Sequence, residues 1–236
     1  MKKNKKNIEK KNFESISEEW WQENGKFSIL HKINPLRIEY IISQISKNQK
    51  LNKIKIMDVG CGGGLVCEPL SRLGASVTGI DFVKKNILVA KNHAKKENLK
   101  INYKCIEIEK LKGNNKFDVI LVLEVIEHLN DWKSIIPLIK NLLNKNGVVI
   151  FSTINRNIFS KFFALFLAEK ILKLIPNNTH TYEQFIKPKE LTKELKKNKL
   201  KIIDLKGMIY NPFTRNWMLS KDKFKINYFC TAKKIN

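Results

Sequence analysis

Ile54-Lys55-Ile56-Met57-Asp58-Val59-Gly60-Cys61-Gly62-Gly63-Gly64 is the stretch on which the fold turns. It is a short apolar run that ends in an acidic residue and a cluster of glycines. Behind it, Leu65, Val66, Leu70 and Leu73 fall at helical spacing, so the segment reads as buried strand, glycine turn and helix. Gly60, Gly62 and Gly64 leave the backbone bare, which lets a ligand lie against the chain at the carboxyl end of a strand. A dinucleotide fingerprint needs glycine where Leu65 stands, and a phosphate loop needs Lys and then Ser or Thr where Leu65 and Val66 stand. Both ligand classes are set aside.

What remains is an unbroken D-x-G-x-G-x-G from Asp58 to Gly64. A second strand, Ser76-Val77-Thr78-Gly79-Ile80-Asp81, ends in a carboxylate suited to accept hydrogen bonds from both hydroxyls of a ribose. The pair resembles the S-adenosylmethionine site of the seven-stranded class I methyltransferases. A tight glycine turn with no ligand is the plainer alternative, and Asp81 at the next strand end weighs against it.

With 236 residues the chain has room for one α/β domain with a full core and a small elaboration. Its four cysteines form no C-x-x-C pair, which suggests neither a disulfide framework nor a zinc site and points to a reducing compartment. Met1 to Asn12 is lysine-rich with no apolar stretch behind it, unlike a secretory signal. No run approaches the ~18 apolar residues a spanning helix needs. The formal charge of +23 invites a nucleic-acid partner, but only four of the 45 basic residues are Arg. Phosphate and base recognition favours the bidentate guanidinium, so the lysines read first as solvated faces, with an anionic membrane surface or RNA as the remaining partners.

Along the chain, Phe13, Ile16, Trp20 and Trp21 predict a short amphipathic helix over residues ~13 to 22; two adjacent tryptophans more often cap a core than bind ligand, but a place outside the regular alternation suits a lid. Pro35 can start the next helix, with Arg37 in its first turn, where a cation opposes the helix dipole and is better explained by an anionic partner such as a carboxylate. A surface salt bridge is the ordinary alternative. Further elements follow as a helix over 86–97, a strand over 101–108, and the continuous apolar run Phe117-Asp118-Val119-Ile120-Leu121-Val122-Leu123. That run predicts a central strand covered on both faces. A helix through Trp132 to Leu142, ending at Asn146-Gly147, and strands over 148–154, 202–210 and 226–233 complete the list. The alternation specifies a doubly wound, mostly parallel seven-stranded sheet, in one domain over 13–236 after a basic tail over 1–12. Residues ~156 to 188 exceed a usual connection and form a helical insertion between strands five and six. Its apolar part, Phe162 to Ala168, followed by the amphipathic Glu169 to Ile175, suits the interface of an anionic membrane; a helix buried against the sheet or a partner subunit is the alternative.

Glu124, Glu127 and His128 follow the fourth strand. If a helical turn begins there, i, i+3 and i+4 share a face and two carboxylates converge with an imidazole, as a divalent-metal set, a general base, or a solvated acidic helix start. A phenolic oxygen with its pKa near ~10 needs help of either kind to become a nucleophile at neutral pH.

Taken together, the chain resembles the ubiquinone-biosynthesis O-methyltransferases, which methylate polyprenyl catechol and hydroquinone intermediates. The matching residues are Trp20-Trp21, His31 through Arg37, Asp58 through Gly64, Glu127-His128, Ser152 through Asn157, Thr179-His180, Phe185 through Pro188 and Tyr210-Asn211-Pro212. The resemblance implies that Arg37, Gly60, Asp81 and Leu123 contact S-adenosylmethionine, Arg37 at its carboxylate, while Asp58 and Gly62 belong to the loop that cradles it. It implies that Glu124, Glu127 and His128 hold a divalent ion, magnesium, and that the segment before Pro176 attaches to membrane. The expected enzyme is cytoplasmic and peripheral to the inner membrane, acts on a polyprenyl phenol or quinol, and associates with other enzymes of the same route. Thr181 departs from the acidic residue expected after Thr-His. An RNA methyltransferase exploiting the basic surface is the second reading.

Overall fold

The structure is a computed structural model that describes residues 2–45, 51–111, 116–158, 160, 182–211, 213, 216–221 and 226–235. The membrane-directed segment 161–175, Thr179-His180 and Thr181 lie outside the described residues. The chain divides into two compact units, residues 1–121 and 122–236.

In the first unit β1 (Lys55–Val59), β2 (Ser76–Asp81) and β3 (Asn102–Cys105) are parallel neighbours, with Asp58 opposite Gly79 and Asp81 opposite Cys105. Helices α1 (Lys2–Ile16), α2 (Ser28–Gln44), α3 (Cys67–Arg72) and α4 (Lys84–Lys96) accompany them. The buried residues of α4, Ile87, Ala90 and Ala94, recur at the helical period, while its lysines take the other side. The strand β4 (Phe117–Leu123) crosses the boundary between the units, and Val119 to Val122 are at most 2% exposed. A strand covered on both faces has no use for alternation, which is why its apolar run is continuous.

Two expectations for this unit change. Of the basic segment 1–12, read as a tail, residues 2–12 are helical: α1 (Lys2–Ile16) is followed by a short 3-10 helix over Ser17–Glu19, so the helix begins earlier than its aromatic residues suggested. Pro35 does not start α2 but sits inside it, which places Arg37 in the helix body and not its first turn. A proline costs the helix one N–H, and the flanking turns here carry on without it.

The second unit contains α5 (Ile135–Leu142), β5 (Leu143–Ile154), α6 (Pro188–Lys197), β6 (Leu200–Asn211), β7 (Asn216–Ser220) and β8 (Asn227–Lys234). Its strands are ordered β5-β8-β6-β7, and all three pairings are antiparallel. Among the described residues the strand count is therefore eight and not seven. The addition is β7, which Tyr210 and Trp217 pin opposite each other with ring centroids 5.4 Å apart. Helix α6 starts where its sequence says: Pro188 occupies the first helical position and Glu190 Oε2 accepts the Lys187 N–H at 3.0 Å.

Candidate active site

The glycine loop is anchored before any ligand is considered. Ile80 O, one residue before the end of β2, accepts both Gly60 N–H (2.8 Å) and Cys61 N–H (3.0 Å), and Gly64 N–H returns to Cys61 O (2.9 Å). Gly62 and Gly64 have φ of +52° and +92°, a backbone region that costs other residues about 1 kcal/mol or more. A Cβ at Gly62 would overlap the Trp20 ring, and one at Gly64 would overlap the Tyr103 hydroxyl. These glycines are thus required by close approach as well as by dihedral angle.

Asp81, 7% exposed, accepts Gly62 N–H on Oδ2 (3.0 Å) and Val83 N–H on Oδ1 (2.7 Å). Burial raises its pKa, and the hydrogen bonds from Val83, Gly62 and Asn86 pull it back. A carboxylate offers about four lone-pair sites, so these contacts orient it and leave capacity for ribose hydroxyls. Asp58, at the loop's other end, is 3% exposed and accepts the Cys67 thiol at 3.3 Å. Burial pushes its carboxyl up to about 7, against the Cys67 hydrogen bond and the charge of Arg37, while the charge of Asp81 adds to the rise. Arg37 is itself buried in α2, so the guanidinium expected at the cofactor carboxylate lies within electrostatic reach of Asp58.

Over the loop lies the N-terminal segment. Trp20 stacks on Phe27 with centroids 3.7 Å apart and planes 7° from parallel, and its Nε1–H donates to Asn86 Oδ1 at 2.8 Å. Trp21 donates to Gly63 O at 3.0 Å and stacks on His93 at 3.5 Å, and His93 Nδ1 is 2.8 Å from the buried carboxylate of Glu68. The adjacent tryptophans, read from sequence as a lid, are fastened to the loop at two points.

The acidic cluster belongs to the second unit and is built differently. Leu123, 8% exposed, ends β4, and Glu124 leaves the strand at φ +55°, an unusual backbone for a residue with a side chain. Glu124 N–H donates to Ser152 O at 2.9 Å, while Glu124 Oε1 accepts Ser152 Oγ–H (2.7 Å) and Asn227 Nδ2–H (2.8 Å). A short 3-10 helix over Ile126–His128 follows, in which Glu127, 2% exposed, accepts Thr153 Oγ1–H at 2.9 Å. Burial, then the charge of Glu124, pushes the Glu127 carboxyl up to about 8, and the charge of His128 draws it back.

This corrects the expected convergence of Glu124, Glu127 and His128 on one helical face. Glu124 is in a left-handed conformation before the helix begins, so the spacing i, i+3, i+4 never applies. Ser152 and Thr153 are successive residues of β5 and point to opposite faces of it, so the carboxylates they hold are anchored from opposite faces. Among the described residues, no group of three or more His, Cys, Asp or Glu side chains is placed to hold a metal ion. The trio read as a magnesium set does not fit one as it stands.

Sequence reasoning missed Asn86, Ser152, Thr153 and Asn227. The last three carried a visible signal: polar residues inside apolar strands need partners, and here the partners are the two glutamates.

Asp58 next to the end of β1, a glycine loop tied to the next strand, and a buried Asp81 at that strand's end define a class I S-adenosylmethionine-dependent methyltransferase. A methyltransferase-domain family model matches residues 30–205. Among solved structures, magnesium protoporphyrin IX methyltransferase from Synechocystis PCC 6803 with bound SAH has a TM-score of 0.65 at 19% identity, covering 89% of this chain and 86% of its own. A possible histamine N-methyltransferase from Thermotoga maritima has a TM-score of 0.65 at 14% identity over 94% and 99% of the two chains. These likenesses speak for the α/β fold with its mostly parallel sheet. Among curated proteins, the ubiquinone biosynthesis O-methyltransferase of Pelagibacter ubique is 50% identical over 95% of both chains, and that of Rickettsia prowazekii 44% identical over 99% of this chain and 92% of its own. The chain belongs to the ubiquinone biosynthesis O-methyltransferase family. It is an S-adenosylmethionine-dependent O-methyltransferase.

Proposed function

We propose that the chain transfers a methyl group from S-adenosylmethionine to a ring hydroxyl of the polyprenyl catechol and demethylubiquinol intermediates of ubiquinone biosynthesis. The observation that carries the acceptor chemistry is Glu127, whose carboxyl is pushed up to about 8. An ordinary glutamate, with its pKa near ~4.3, is a poor base for a phenol with its pKa near ~10. Burial and the charge of Glu124 raise Glu127 toward the phenol and so narrow that gap, which makes it a more effective general base.

The methyl donor is already activated as a sulfonium, so the protein's work is to align it and to take up the phenolic proton. Asp81 receives the ribose hydroxyls, Gly60 gives the cofactor bare backbone, Gly62 under the Trp20 ring holds Asp81 through its N–H, and Asp58, Arg37 and Leu123 complete the cofactor residues. Glu127 takes the proton, with Thr153 fixing one of its oxygens and Glu124 and His128 setting its charge environment. No step is routed through a metal.

A polyprenyl acceptor stays in the bilayer, and the apolar stretch Phe162 to Ala168 gives the enzyme a means of reaching it as a peripheral protein of the cytoplasmic membrane face. Among the described residues no helix is long and apolar enough to cross a membrane. Neighbouring enzymes of the same route are further candidate partners. The similar proteins bring no support to an RNA acceptor. Labelled S-adenosylmethionine incubated with a prenylated catechol in anionic vesicles, with RNA as a parallel substrate, tests the reading. Label on a ring oxygen is the expected result; no transfer to the catechol, or transfer to an RNA base, overturns it.

A further inference from the structure

Asn86 opens no pocket and carries no charge, yet it is 2% exposed on α4 and every polar atom of its side chain is engaged. Its Oδ1 accepts Trp20 Nε1–H at 2.8 Å and lies 2.8 Å from Ser17 Oγ, whose single proton it shares with Phe13 O at 2.6 Å. Its Nδ2 lies 3.5 Å from Asp81 Oδ1, the same oxygen that accepts Val83 N–H. The other Asp81 oxygen accepts Gly62 N–H, and Gly62 is one of the two glycines against which the Trp20 ring is seated. The contacts therefore close a circuit: Trp20 to Asn86, Asn86 to Asp81, Asp81 to Gly62, Gly62 back to Trp20.

A buried amide offers donors and acceptors with fixed directions, and here the two ends face different segments. The acceptor can hold Trp20 and Ser17 only while the donor side is turned to Asp81, because a flip of the amide would bring two donors to the indole N–H and leave a carbonyl facing a carboxylate. We propose that Asn86 is a positioning residue that couples closure of the segment Ser17–Trp20 to the orientation of Asp81 and hence to binding of the cofactor's ribose. This rests on the reading of Asp81 as the ribose carboxylate. The coupling works in both directions: a cofactor that fixes Asp81 stabilises the closed segment, and opening of the segment weakens the hold on the cofactor.

The test measures two quantities that a passive core amide would not move together: the dissociation constant for S-adenosylhomocysteine by calorimetry, and amide hydrogen exchange of residues 17–21 in ligand-free protein. Asn86→Ala is expected to raise the dissociation constant about tenfold and to speed exchange at 17–21 by a similar factor, the loss of hydrogen bonds to one buried partner. Asn86→Asp keeps an acceptor for Trp20 and Ser17 but sets a second carboxylate against Asp81, so exchange at 17–21 should stay slow while the affinity falls at least as far. Trp20→Phe keeps an aromatic ring on the loop while removing the N–H together with part of the bicyclic ring, and should speed exchange at 17–21 even where an Asn86 variant does not fold. Wild-type affinity and exchange in Asn86→Ala, or unchanged exchange in Trp20→Phe, overturns the proposal. Asp81→Ala separates the two levels: if it leaves binding intact, the cofactor reading of Asp81 fails, whereas weak binding in Asp81→Ala beside wild-type behaviour in the Asn86 variants sinks the coupling alone.

Discussion

Asp81 and Glu127 are both buried carboxylates, one at the end of β2 and one just beyond β4, and burial raises the pKa of each, yet the groups around them differ. Asp81 accepts two backbone N–H groups, which favour its anion and offset part of the cost of burial. Glu127 accepts its own backbone N–H and the Thr153 hydroxyl but feels a second carboxylate, and its carboxyl is held at about 8. Asp81 has donors from Val83, Gly62 and Asn86, whereas Glu127 has fewer donors and a like charge beside it. Polarity alone would not tell the two apart; the number and rigidity of donors does.

The sharpest way to break this contrast is Glu127→Gln. The amide keeps the shape and cannot take a proton, so turnover should fall by about 10²–10³ while the dissociation constant for S-adenosylhomocysteine stays within a factor of two. Equal losses in both would place Glu127 with Asp81 among the binding residues.

Stability against pH sharpens it next. Folding raises the Glu127 pKa from 4.5 to about 8, so between those values the folded chain holds a proton that the unfolded chain releases. Stability is therefore greatest below the lower value and declines as pH rises toward the upper one, by on the order of 5 kcal/mol from this group. Denaturant melts of Glu127→Gln should show a visibly flatter decline across that window than the wild type; parallel curves would contradict the raised pKa. Asp58, pushed up to about 7, contributes a decline of the same sign that the variant retains.

The smallest expected effect tests the loop that Asp81 supports. Gly62→Ala adds a methyl at φ +52° where the Trp20 ring already stands, and should cost about 2 kcal/mol in a denaturant melt. No loss would mean that Trp20 moves aside without penalty and that the lid is not seated on the loop.

The parallel part of the fold was plain in the sequence because its signals are local. An apolar run closed by glycines at 60–64, a carboxylate ending β2 and the unbroken run of β4 each state their role within about ten residues. What the sequence did not state depends on partners far along the chain. Strand β7 exists because Met218 and Trp217 meet Ile209 and Tyr210 across a turn, and Asn216–Ser220 alone is too short to announce itself. Glu124 and Glu127 looked like one cluster because spacing along a helix was the only rule available, whereas their positions are decided by Ser152, Thr153 and Asn227. Asn86 was invisible for the same reason: an amide on a lysine-rich helix gives no hint that an indole from residue 20 and a carboxylate from residue 81 both depend on it.

The seating of Trp20 and Trp21 on the glycine loop has a practical consequence. These two residues are half of the chain's four tryptophans, and one is buried against Phe27 while the other is stacked on His93. Their ultraviolet emission is therefore weighted toward the segment that covers the glycine loop, where the cofactor is proposed to bind. The protein carries its own optical reporter there, and entry and departure of the methyl donor can be timed by stopped-flow mixing without attaching any dye.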